Sequence, residues 1–426
     1  RQEDGLTVMT RLVLPGELVK IHELRRKKGF SVGRPANIIE ASDARITPAC
    51  PFYGSCGGCD LQHCSYPTQL QLKRDIVRDL LVRSKHPRLR QLAGDLSLPH
   101  GAINVFGYRQ RIRLHIDQKN RPAFHHFHSH RLISVDNCLL AGHKINSALT
   151  EILKNDAGQF LLRRSEEIEL MLNPASGKVT ALFHLKKKIS PTDRNSGREL
   201  VQTSPTLERA LGRGENFPLT DLDKTTENSE FRMAFSSSAL EGNHPLMLSW
   251  EAGGFCQVNL EQNDKLIKLV LDGCQATGDE SILDLFCGLG NFSIPLALTA
   301  RSLLGVEGQG SAIRSANHNS TLAGLTNTSF EKCPVDRKCR QLIGTGQTFD
   351  HLVIDPPRQG VPGLANELAA LTRKRLVYVS CDPATLCRDL ARLLETGFIL
   401  ESLQLIDMFP QTHHIESVAV LEKSSL

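Results

Sequence analysis

The stretch Ser281–Ala300, SILDLFCGLGNFSIPLALTA, decides the architecture of the C-terminal half. Ile282 to Phe286 has the length and apolar density of a buried strand, and Phe292 to Thr299 has helical spacing. Between them lies Cys287-Gly288-Leu289-Gly290-Asn291. Gly288 and Gly290 let the backbone pass close to a ligand and aim N–H groups at it. The following apolar run, SLLGVEG, ends in Glu307. An acidic residue about 20 positions after such glycines can hold the hydroxyl pair of a ribose. Strand, glycine loop, helix and acid in this order predict a nucleoside cofactor on a doubly wound α/β sheet.

The third glycine of dinucleotide binders is missing, since Ser293 stands in its place. Asp284 precedes the loop in a D-x-F-x-G-x-G pattern of the methyltransferase style, which favours S-adenosylmethionine over a nicotinamide cofactor. From Ser281 onward, short apolar runs alternate with helical segments, as a parallel sheet with helices on both faces requires. FDHLVIDPPRQG (349–360) ends its strand in Asp355-Pro356-Pro357-Arg358. The two prolines fix the loop, and the Arg358 guanidinium suits a uracil carbonyl or a phosphate. LVYVSCDPATLCRDL (376–390) puts Cys381 at a strand tip, just before a helix predicted over Ala384–Leu394.

Ligands of open α/β sheets bind at this edge. A methyl donor beside a thiol there points to one reaction. C5 of a pyrimidine is too weak a nucleophile to take a methyl group unaided, but a thiolate adding to C6 makes it strong enough. The helix start next to Cys381 is expected to ease ionisation of the thiol. The reaction also needs a base, and FPQTHHIESVAVL (409–421) supplies Glu416, whose pKa a dry pocket would raise.

The chain has 426 residues, 40% hydrophobic, which predicts two or three globular domains. No apolar run approaches the ~18 residues of a membrane helix, and no secretory signal is seen. The 12 cysteines show no disulfide spacing, which suggests a reducing compartment, and a cytoplasmic monomer is expected. The chain opens on Arg1, which suggests numbering that starts inside a longer natural protein. Net charge is only +5, but basic residues cluster at Arg25, Arg26, Lys27, Lys28 and Arg34, a candidate phosphate-binding surface. Arg109, Arg111 and Arg113 lie two apart, so a strand there would carry them on one face toward RNA. The HHFHSH run (125–130) is a poor metal site, because neighbouring residues of a strand point to opposite faces. Lys186–Glu230 is polar and reads as a loop-rich region. Cys50, Cys56, Cys59 and Cys64 are spaced C-x5-C-x2-C-x4-C. Locally they fit a tetrahedral zinc site, and three of them plus a distant fourth would fit a 4Fe–4S cluster.

The runs ACPFYGSCGGCDLQHC, GFCQVN, LDLFCGLGNFS, VEG, IDPPRQG, YVSCDPAT and FPQTHHIES together make the chain resemble the RNA (uracil-5-)-methyltransferase family. The likeness is strongest to its bacterial 23S ribosomal RNA members that carry an iron–sulfur cluster. The resemblance implies a C-terminal Rossmann-like class I methyltransferase domain (251–426), a central iron–sulfur and RNA-binding α+β domain (47–250) and a partial OB-like TRAM unit (1–46). It implies Cys381 as nucleophile and Glu416 as general base. It implies Gln257, Phe286, Asn291, Glu307 and Asp355 as contacts to S-adenosylmethionine, together with the loop of Gly288 and Gly290. No residue of SFEKCPVDR (329–337) matches the family's further cofactor contact. The resemblance makes Cys50, Cys56 and Cys59 cluster ligands, with Cys138 in VDNCLL as the fourth and Cys64 as an extra thiol. The substrate implied is ribosomal RNA, its target base flipped into a cleft between domains. The rival readings are a transfer RNA T-loop uridine and a non-catalytic RNA-binding protein that keeps the fold.

Overall fold

The structure is a computed structural model that describes residues 7–214, 217–223, 232–238 and 246–424. The N-terminal segment forms a three-stranded sheet from β1 (Val8–Met9), β2 (Leu18–Lys27) and β3 (Phe30–Glu40), in the order β1-β3-β2. Residues 1–6 of the expected OB-like unit (1–46) lie outside the described residues. The cysteine-rich segment follows, and then helices α1 (Tyr66–Val82) and α2 (Pro87–Asp95).

The middle of the chain builds a seven-stranded sheet. Its strands are β4 (Arg111–Ile116), β5 (Pro122–His125), β6 (Leu132–Ser134), β7 (Ser165–Asn173), β8 (Lys178–Leu185), β9 (Leu207–Gly214) and β10 (Phe217–Asp221). Helices α3 (His143–Lys154), α4 (Asp156–Arg164) and α5 (Pro191–Thr203) interrupt them. Alternation sets the faces: Ile112, Leu114, Ile168, Leu170 and Phe183 turn inward onto Ile145, Leu149 and Leu161 of α3 and α4. Arg111 and Arg113 take the opposite face, where the first meets the buried Glu169 and the second Glu167 across the β4–β7 ladder.

Two expectations are corrected here. Arg109 precedes β4 rather than lying within it, and although all three arginines line one cavity, Arg111 and Arg113 are paired with carboxylates. The polar region 186–230 is also not mainly loop. Ser190 and Asp193 form a capping box that starts α5 at Pro191, and Leu207, Ala210 and Leu211 bury β9. Residues 215–216 and 224–230 of that region lie outside the described residues.

A hairpin of β11 (Arg232–Ser237) and β12 (Leu246–Glu251) leads into helix α6 (Leu260–Cys274). The last sheet comprises β13 (Ser281–Leu285), β14 (Ser302–Glu307), β15 (Thr328–Lys332), β16 (Phe349–Ile354), β17 (Thr372–Ser380), β18 (Phe398–Ile406) and β19 (Glu416–Lys423). Its order is β15-β14-β13-β16-β17-β19-β18, with β19 antiparallel to both neighbours and β13, β14, β15, β16 and β17 mutually parallel. Helices α7 (Ser293–Ala297), α8 (Gly310–Leu322), α9 (Val335–Gly344), α10 (Ala365–Leu371) and α11 (Pro383–Glu395) complete the wound α/β pattern.

The packing crosses the boundary expected near residue 250. Val77, Leu81, Leu89 and Ala93 of α1 and α2 belong to the same core as Leu352, Leu376, Leu386 and Leu390 of the last sheet and α11. That junction also holds a buried ion pair. Lys73 of α1 donates to Asp407, both side chains being 0% exposed, and to the Phe409 carbonyl at 3.1 Å. Tyr66 Oη donates to the other Asp407 oxygen at 2.9 Å. Removing one partner leaves the other charge buried and alone, so Lys73→Met is expected to cost about 3–5 kcal/mol. Chemical denaturation should show this as a lower midpoint with an unchanged slope.

Candidate active site

The parallel strands β13, β14, β16 and β17 bring the ends of four motifs to one edge. Phe286 leaves β13 in a left-handed conformation (φ 65°), and its N–H donates to the Val306 carbonyl at 2.9 Å. Gly290 is also left-handed (φ 89°), and a Cβ there would come within 2.9 Å of Ile294, so the turn requires glycine. Glu307, at the end of β14, accepts from the N–H of Gly288 at 3.3 Å and of Gln309 at 2.8 Å. Asn291 and Asn263 of α6 exchange amide hydrogen bonds, each 2.9 Å long. Gln257 lies half-buried between β12 and α6.

Asp284 sits in β13 beneath the glycine loop and is fully buried. Ser293 Oγ donates to one of its oxygens, while Oδ1 has no hydrogen-bond partner among the described residues. Burial pushes its pKa up to about 7, with the charges of Asp355 and Glu307 adding to the shift. Asp355 directly follows β16, and desolvation raises it to about 7 as well. The sequence marks Asp284 as part of a motif but gives no sign of its buried, half-satisfied carboxyl. Asn263 carries no sequence signal at all.

Cys381 and Glu416 meet through strand register. Ser380, the last residue of β17, pairs with Ser417 of β19. One step further out, Cys381 leaves β17 and Glu416 opens β19. Asp382 caps α11 by accepting from the Thr385 N–H at 2.8 Å, with Pro383 in the first turn. The helix start does not lower the thiol as expected. Burial first, then the charges of Glu416 and Asp355, push Cys381 up to about 11, and the exposed Arg358 only partly offsets them. Burial and Asp355 also hold Glu416 well above the usual carboxylate range.

The remaining candidate site residues lie in the middle of the chain. Cys50, Cys56, Cys59 and Cys138 line one cavity of about 320 Å³, together with Arg109. The backbone around them is fixed. The Cys56 N–H donates to the Phe52 carbonyl at 2.8 Å, and the Cys138 N–H to Asn146 Oδ1 at 3.0 Å. Burial raises the Cys56 thiol and raises Cys59 to about 12. Cys64 is not on the cavity wall, and its thiol donates to the Leu61 carbonyl at 3.3 Å. Among the described residues no group of three or more His, Cys, Asp or Glu is arranged to hold a single metal ion. Nor is any helix among them long and apolar enough to cross a membrane.

The chain is similar to known proteins over nearly its whole length. The family described as tRNA (Uracil-5-)-methyltransferase matches residues 66–424. The 23S rRNA (uracil(1939)-C(5))-methyltransferase RlmD of Vibrio campbellii is 33% identical over 96% of this chain and 90% of its own length. The protein of the same name from Shewanella amazonensis is 31% identical over 99% and 92%. In fold, the chain is similar to the Pyrococcus abyssi tRNA (uracil-54, C5)-methyltransferase crystallised with S-adenosyl-L-homocysteine. That likeness has a TM-score of 0.73 at 21% identity and covers 97% and 95% of the two chains.

Proposed function

Because the chain belongs to the tRNA (Uracil-5-)-methyltransferase family, and so is an S-adenosylmethionine-dependent RNA uracil-5-methyltransferase, we propose that it methylates a uridine of 23S-type ribosomal RNA through a transient bond between Cys381 and uracil C6. One observation carries the covalent route. Cys381 and Glu416 stand at paired strand ends beside Asp355 and the glycine loop.

The residues fit the cofactor. The glycine loop exposes backbone donors, Glu307 is held in place, and Asp284 Oδ1 is a buried acceptor without a donor among the described residues. Gln257, Phe286, Gly288, Gly290, Asn291, Glu307 and Asp355 would hold it. S-adenosylmethionine supplies an electrophilic methyl group on a sulfonium. Arg358, exposed at the rim, orients the flipped uracil. The Cys381 thiolate adds to C6, which places electron density on C5. After methylation Glu416 accepts the C5 proton, the C6–S bond breaks, and the thiolate is released. The exposed Arg25, Arg26 and Lys27 of β2 would hold phosphates of the same RNA. Methylation of a 23S RNA transcript but not of a transfer RNA transcript, mapped as 5-methyluridine, tests the substrate; the reverse pattern refutes it.

Cys50, Cys56, Cys59 and Cys138 would hold a 4Fe–4S cluster. Four thiols spread around a cavity suit a multi-atom cluster better than a single tetrahedral ion. Protein purified without oxygen is expected to absorb broadly near ~400 nm, as iron–sulfur thiolates do, and Cys59→Ser to lose that band. Colourless protein holding one zinc would overturn the assignment.

A further inference from the structure

The loop Asp407–Ile415 joins β18 to β19 and delivers Glu416 directly to the site. Most of what holds this loop comes from distant parts of the chain. The carbonyl of Gln411 accepts from the N–H groups of Asp60 and Leu61, each at 3.1 Å. The Gln411 N–H donates to Gln69 Oε1 at 2.9 Å, and Gln69 Nε2 donates to Gln411 Oε1 at 2.9 Å. Gln69 Nε2 also reaches the carbonyls of Leu61 at 3.1 Å and Cys64 at 3.2 Å. Both glutamines are buried, and Gln411 is left-handed with φ 71°, a conformation its neighbours must impose. Nearby, His413 pairs with Asp60, and Tyr108 Oη donates to the Pro410 carbonyl at 3.1 Å. Asp60 and Leu61 directly follow Cys59.

From Ser417 onward β19 is held by ladders on both sides, whereas Glu416 has a ladder partner on one side alone, Ile406 at the end of β18, so the loop that joins these two residues bears on its place. We infer that the Gln69–Gln411 amide bridge is a positioning device through which the cysteine-rich loop holds Glu416 against the C5 proton. The inference rests on the assignment of Glu416 as base. Loosening the bridge slows proton removal while leaving thiol addition and cofactor binding intact.

The full chain is assayed with a 23S RNA transcript as Gln69→Met, which keeps the side-chain volume, and Gln411→Gly, which suits the left-handed backbone. A base displaced by about 1 Å costs roughly 10²-fold in rate. Turnover should fall by ~10- to 100-fold in both variants, while the affinity for S-adenosylmethionine changes by less than about twofold. The covalent RNA adduct, read as a band that survives denaturation, should accumulate above its wild-type level. If turnover and adduct fall together, or if turnover stays at the wild-type rate, the bridge has no such role. Should Gln69→Met fail to fold, Gln411→Gly decides the matter alone. Glu416→Gln is run alongside. If it traps no adduct, the base assignment itself has failed; if it does and the bridge variants behave as wild type, only the bridge is refuted.

Discussion

Cys381→Ala is expected to abolish methyl transfer while leaving affinity for S-adenosylmethionine nearly intact. Without a nucleophile on C6, C5 of the ring keeps too little electron density to attack a sulfonium methyl, and no step remains that generates it. Loss of a nucleophile of this kind costs on the order of 10⁴-fold or more in turnover. The residues proposed to hold the cofactor lie outside β17 and its following helix, so binding is expected to persist. Retained turnover within about tenfold of wild type would rule out the thiol as nucleophile. The state of the thiol gives a second measurement. At about 11, it is almost wholly protonated at neutral pH in the free protein. Alkylation of Cys381 should therefore be slow near pH 7 and rise about tenfold per pH unit toward that value.

Glu416→Gln is expected to trap the protein on RNA. Addition through Cys381 still proceeds, but the C5 proton has no acceptor, so the linked species builds up and turnover falls by ~10²- to 10⁴-fold. A gel band that withstands denaturant and disappears on nuclease treatment would show it, and free RNA alone would exclude the role. The same variant alters stability in a set direction. The folded carboxyl of Glu416 is raised above the unfolded carboxylate range, so folding favours its protonated form. That contribution is complete below the unfolded pKa and is lost as pH rises through the folded one. Gln cannot ionise, so the variant should gain thermal stability relative to wild type on the alkaline side.

How much of this could be read from the letters depends on how local the physics is. The glycine loop, Asp355 and Cys381 were visible because each is a strand followed by a turn, written within about 10 residues. The row Arg109, Arg111, Arg113 misled because the glutamates that pair with two of them lie on β7, more than 50 residues away. The thiol misled for the same reason. Its helix start is adjacent in sequence, while the burial and the carboxylates that outweigh it come from other strands. The polar stretch around α5 and β9 hid a core strand behind surface-like composition. Gln257 came only from the likeness of GFCQVN to the family and Asn263 from nothing, since an amide in an undistinguished loop or helix looks physically like any other.

The last sheet completes one of its two faces with α1 and α2, a helix pair translated well before any of its strands. On the ribosome that pair must stay unsatisfied until some three hundred further residues emerge, and the C-terminal half expressed alone would present a bare greasy flank. The catalytic module is thus not a detachable cassette: a fragment cut at the hairpin should aggregate, and co-expression of the missing piece should rescue it.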